Sequence, residues 1–201
     1  MNKVAKYFRG ISLPMALVWA GFAAFQLWSM SLVFMFFDDF GYASLSYAYV
    51  VPDVAGTDFT IAQLVHFLRE IYLGWGGRVL FHGLFVLILR DGGLWAMRII
   101  QSISVFLSFY LLYKLSTEST FGRGEARPAT STRVKLSLFT CALYGAFSFG
   151  MFRVGFMWFT ASAIFVIPIV FVFAAWYLMD RIRSGAITNK WLMHCVVYAY
   201  S

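Results

Sequence analysis

The sequence predicts an all-α fold, a polytopic transmembrane helical bundle of four or five spans, and three observations carry that prediction. Hydrophobic residues fill 61% of the 201 positions and charged residues only 12%, far from the soluble globular norm. The apolar runs are long and continuous, with none of the period-two alternation of strands. They approach the roughly 20 residues that a helix needs to cross a bilayer, where backbone groups must bond within a helix or a closed barrel. The lysines and arginines behind the formal net charge of +7 are scattered between these runs and form no stripe. That pattern suits topology signals and argues against a nucleic-acid partner.

The chain opens with Lys3, Lys6 and Arg9 and no acid, then runs apolar from Ile11 to Phe37. This run exceeds the apolar part of a cleaved signal, about 7 to 15 residues, and reads as a first span with a cytoplasmic amino terminus. Further spans are expected at Leu94 to Tyr113, Leu136 to Phe152 and Phe159 to Met179, with a shorter apolar stretch from Val79 to Leu89. Lys114 to Lys135 is rich in Gly, Pro, Ser, Thr and basic residues, and reads as a cytoplasmic linker loop. Asp180 to Lys190 falls inside by the same rule. Keeping all three basic segments inside requires Val79 to Leu89 to be re-entrant or interfacial; if it spans, the basic loop falls outside. The last apolar run, from Trp191, holds about eleven residues and is too short to cross. The whole chain, residues 1–201, therefore reads as one transmembrane module, the expected amino-terminal part of a longer fold. Cys141 and Cys195 lie in apolar sequence with no CxxC or Cys/His partner, and read as buried thiols.

The outer loop, residues 38–78, is the informative segment. It is acidic in a basic protein, with Asp38, Asp39, Asp53, Asp58 and Glu70 against Arg69 and Arg78. Ile61, Leu64, Val65, Leu68, Ile71 and Tyr72 recur at helical spacing, with Gln63, His66, Arg69 and Glu70 opposite. Thr60 and Gln63 are spaced as a capping box, with Asp58 as an alternative cap. An amphipathic helix on the outer membrane surface is expected.

Three constellations could carry chemistry. Asp38-Asp39-Phe40-Gly41-Tyr42 puts two carboxylates where the first span ends, costly near lipid and of little use to topology. One could accept a proton from an acceptor hydroxyl or hold a divalent cation; the structural alternative is a solvated helix end. Tyr72-Leu73-Gly74-Trp75-Gly76-Gly77-Arg78, followed by Phe81-His82, combines glycines that allow close backbone approach with a guanidinium suited to a phosphate or carboxylate. Here the alternatives are an Arg78 that snorkels to headgroups and a His82 that only packs. Arg153-Val154-Gly155-Phe156-Met157-Trp158 adds an arginine that could join an anion site and a tryptophan that could stack on a sugar, against an ordinary interfacial belt. No nucleotide-binding loop, nucleophile elbow or His/Glu metal spacing occurs, so nucleotide chemistry has no support.

In this order, a span ending in Asp38-Asp39-Phe40-Gly41-Tyr42, an amphipathic helix and then Tyr72-x-x-Trp75-Gly76-Gly77-Arg78-x-x-x-His82, the chain resembles the amino-terminal part of GT-C-type bacterial membrane glycosyltransferases, in particular the glucosyltransferase-like membrane proteins. Trp158-Phe159-Thr160-Ala161-Ser162 also resembles that family's Trp-x-x-Gly-Ser region, with Ala161 at the glycine. The resemblance implies an enzyme of the bacterial inner membrane that moves a sugar from a polyprenyl-phosphate donor to a cell-envelope glycan on the outer face. It implies Asp39 or Asp38 as the catalytic carboxylate, Arg78 and Arg153 on the donor phosphate, and Trp75, His82, Tyr42 and Trp158 on the substrates. The implied partners are membrane lipid, the lipid-linked sugar and the acceptor glycan. A divalent cation is a possible cofactor, and the metal requirement is open. The alternatives are a non-catalytic protein that binds or flips a lipid-linked sugar, and an inactive truncated remnant.

Overall fold

The computed structural model describes residues 12–35, 38–45, 58–74, 79–120, 128–147 and 153–185. Among them the chain forms helices only: α1 (Leu13–Ser31), α2 (Asp38–Ala43), α3 (Ile61–Gly74), α4 (Val79–Thr120), α5 (Thr130–Gly145), a π-helical turn at Arg153–Met157, and α6 (Phe159–Arg183). Three of these, α1, α4 and α6, are long and apolar enough to cross a membrane. The chain is therefore read as a multi-pass membrane protein; the described residues hold three candidate spans, against the four or five expected over the whole chain.

The shortfall has two causes. The helix expected at Leu136 to Phe152 instead occupies Thr130–Gly145, where its 16 residues extend only about 24 Å against a hydrocarbon core of about 30 Å. Its amino-terminal turn is drawn from the segment expected to be loop: Arg133 lies against the Met15 sulfur at 3.7 Å. It closes at Gly145, and the Ala146 amide donates to the Leu143 carbonyl. The linker expected from Lys114 to Lys135 is thus helical at both ends, leaving only residues 121–127 outside the described part. The second cause is α4, which takes the short stretch from Val79 and the span at Leu94 into one 42-residue element broken at Gly93. There φ is 63° and ψ is −168°, a region only glycine occupies readily.

The described chain divides into two compact units. One comprises Met1–Ala24, Phe106–Phe147 and Ile169–Ser201. Its core is aromatic: Phe106, Phe109, Tyr110 and Tyr113 recur on one face of α4 and meet Trp19 and Phe22 of α1 and Tyr144 of α5. Trp19 lies edge-on to Tyr110 at 5.1 Å, a geometry in which the positive ring edge meets a negative face. The Tyr113 hydroxyl donates to the Met15 sulfur at 3.3 Å.

The other unit comprises Phe25–Val105 and Ser148–Pro168, and its largely apolar core, with Met30, Phe67, Phe85, Met97 and Phe159 among its buried side chains, also takes in a set of polar ones. Gln26 and Ser29 of α1, Arg98, Gln101 and Ser102 of α4, and Thr160 and Ser162 of α6 are buried. Leu27, Trp28, Trp95, Ile99, Ile103 and Phe165 of the same helices are exposed. Large apolar side chains facing outward beside buried polar ones suit helices that have lipid as solvent.

Helix α3 begins with a reciprocal cap. The Thr60 amide donates to Gln63 Oε1 at 2.7 Å, and the Gln63 amide donates to Thr60 Oγ1 at 3.2 Å. That is the expected capping box, and Asp58 is not needed for it. The expected apolar stripe is split. Leu64, Phe67 and Ile71 turn inward, whereas Ile61, Val65 and Tyr72 stay exposed. Phe67, outside the expected stripe, is one of the most deeply buried residues of the helix.

Candidate functional site

Helix α6 starts at Phe159, so Trp158 holds the position before its first turn. The first amides of a helix have no partner within it, and a side-chain oxygen just before the helix usually satisfies one of them. Tryptophan has no such oxygen. The acceptor comes from α2: Asp39 Oδ1 accepts the Thr160 amide at 2.8 Å and the Thr160 hydroxyl at 2.5 Å. The carboxylate is completely buried, and it meets the positive end of the α6 dipole. The two segments that the sequence singled out separately, around Asp39 and around Thr160, therefore touch.

Tyr42 follows on the next turn of α2 and is buried. Its ring lies 5.0 Å from His82 at an interplanar angle of 31°, with Phe67 and Phe85 edge-on at 6.0 and 6.3 Å. His82 is buried as well. At the close of α2, Leu45 takes a positive φ of 56°. A leucine there costs about 1 to 2 kcal/mol, and complete burial of its side chain offsets that cost. Helix α3 approaches α4 at Gly83, where a methyl group would lie 3.1 Å from a Leu68 methyl.

Of the other residues expected at the site, Trp158 is half-buried, and its carbonyl accepts the Ser162 amide at 2.8 Å. Trp75 and Arg78 lie outside the described residues, as do the side chains of Asp38 and Arg153. Among the described residues no cluster of three or more His, Cys, Asp or Glu side chains forms a metal site.

The polar face of α4 is a feature that the hydropathy of the sequence does not reveal. Arg98, Gln101 and Ser102 stand at spacing i, i+3, i+4, and each bridges to another segment. Arg98 Nε and Nη2 both donate to the Val33 carbonyl, at 2.9 and 2.5 Å. The Gln101 amide donates to the Phe156 carbonyl in the π-helical turn, and the Ser102 hydroxyl reaches the Gln26 carbonyl at 3.4 Å. The Gln26 side-chain amide, Gln101 Oε1 and Ser162 Oγ are buried with no hydrogen-bond partner among the described residues. The available signal was an ionisable residue inside an apolar run, which in a membrane marks function by default.

No protein-family model matches the chain, and neither a curated protein nor a solved structure matches it.

Proposed function

We propose that this chain is a membrane glycosyltransferase module of the bacterial inner membrane, which passes a sugar from a polyprenyl-phosphate donor to a cell-envelope glycan on the outer face. The observation that carries the reading is the Asp39–Thr160 contact, which joins two of the three segments on which the family resemblance rests. Both bonds fall on Oδ1, so one edge of the carboxyl group is held rigidly. In this reading Asp39 or Asp38 takes the proton of the incoming hydroxyl as the glycosidic bond to phosphate breaks. The departing phosphate needs fixed positive charge, which Arg78 and Arg153 supply. Trp75, Tyr42, His82 and Trp158 shape the substrate pocket.

The complete burial of Asp39 favours a second reading, in which the carboxylate is a structural cap and the chain binds or flips a lipid-linked sugar without transferring it. Proteoliposomes supplied with a polyprenyl-phosphate sugar and an acceptor glycan separate the two. Loss of transfer in both Asp39→Asn and Arg78→Ala, with membrane insertion intact, supports the enzyme. Binding of the lipid-linked sugar without product in the unaltered protein supports the second reading, and unchanged transfer in both variants ends the first.

A further inference from the structure

Arg98 is the only buried lysine or arginine among the described residues. Its partners are neutral: the Val33 carbonyl, the Trp95 ring with its centroid 4.6 Å from Cζ, and the Phe34 ring at 5.4 Å. These partners stabilise a cation but leave its charge whole. No acid among the described residues forms an ion pair with it; Asp39 holds Thr160, and Asp91 pairs with Arg90. A charged group taken out of water without an opposite charge is destabilising by several kcal/mol, so the site is built to receive an anion.

The geometry says which kind. A guanidinium has five N–H donors, and the two directed at Val33 use the edge formed by Nε and Nη2. The opposite edge, Nη1 with the second Nη2 hydrogen, keeps the planar fork that matches two oxygens of a phosphate. Val33 lies just past the end of α1, and Arg98 just past the Gly93 break in α4. The cation therefore sits beside the carboxy-terminal end of α1 and within five residues of the break inside α4; if the part of α4 after Gly93 is what crosses, that position is close to the headgroups. Trp95 and Phe34, exposed by 61% and 71%, flank it with an apolar surface suited to an acyl chain. Free phosphate shares the phosphate chemistry but gains nothing from those rings.

We infer that Arg98, framed by Val33, Trp95 and Phe34, binds the phosphate of a membrane lipid headgroup. This site goes beyond the transfer reading and does not require it. It is tested by purifying the full chain in detergent with added phosphatidylglycerol or diacylglycerol, matched in acyl chains, and counting retained lipid by native mass spectrometry. The unaltered protein retains phosphatidylglycerol over diacylglycerol. Arg98→Gln lowers that retention about tenfold, the scale of one lost charge-assisted hydrogen-bond pair, and Arg98→Lys falls between because a point charge lacks the fork. Equal retention of the two lipids by the unaltered protein overturns the inference, even if Arg98→Gln does not fold. So does undiminished retention by a folded Arg98→Gln. Displacement of the lipid by millimolar inorganic phosphate assigns the site to free phosphate and overturns the lipid source.

Discussion

Asp39 and Thr160, far apart in sequence, meet through two hydrogen bonds to one carboxylate oxygen, and the first turn of α6 is thereby capped from α2. Removal of the acceptor leaves a buried amide and a buried hydroxyl unpaired. Asp39→Ala should therefore destabilise the protein by about 2 to 4 kcal/mol, and Asp39→Asn, which keeps an oxygen, by about 1. Thermal unfolding in detergent reads this order, and a double-mutant cycle with Thr160→Val should give a coupling of about 1 to 3 kcal/mol. Additive effects would mean that the contact is not made.

Gly93 carries the break in α4 at a φ and ψ that a side chain tolerates poorly. Gly93→Ala meets open space, so its cost is backbone strain alone, about 1 to 3 kcal/mol. The same substitution at Gly21, which also meets open space but lies inside α1, should be neutral or mildly stabilising. Unfolding midpoints that rank the two variants the other way would refute the break.

The cap on α3 is local and should behave locally. Gln63→Ala and Thr60→Ala each remove a reciprocal bond and should cost about 0.5 to 2 kcal/mol. Their effect belongs in the hydrogen exchange of the α3 amides; faster exchange confined to α1 would contradict it.

The exposed apolar edge of α3, Ile61, Val65 and Tyr72, fits a helix lying at the membrane surface. Cysteines introduced at Ile61 and Val65 should react slowly with a water-soluble maleimide in proteoliposomes, and cysteines at His66 and Arg69 quickly. Equal rates at all four positions would place the helix in water.

What the sequence made legible follows what its physics could express. The runs around Leu13–Ser31 and Phe159–Arg183 were readable because lipid demands continuous apolar length. The Thr60–Gln63 cap was readable because it is a contact at fixed short spacing. Helix α5 was misplaced because the polar residues from Thr130, read as loop from their composition, form its first turns, with Arg133 against the Met15 sulfur. Asp39 stood out as an acid beside lipid, but its partner could not be read, since nothing local links position 39 to position 160. Arg98 was hidden by averaging: one arginine scarcely lowers the hydropathy of a long apolar run.

Lipid solvates the outer face of the unit in which Arg98, Gln101 and Ser102 of α4 are buried. Spin labels at Trp95, Ile99 and Ile103, the exposed edge of α4, test it in proteoliposomes by collision with oxygen and with a water-soluble nickel chelate. The result expected is high oxygen and low nickel accessibility at Ile99 and Ile103, with nickel accessibility rising toward Trp95 at the interface. Nickel accessibility that is high at all three would mean that this face lies in water, and would contradict the claim.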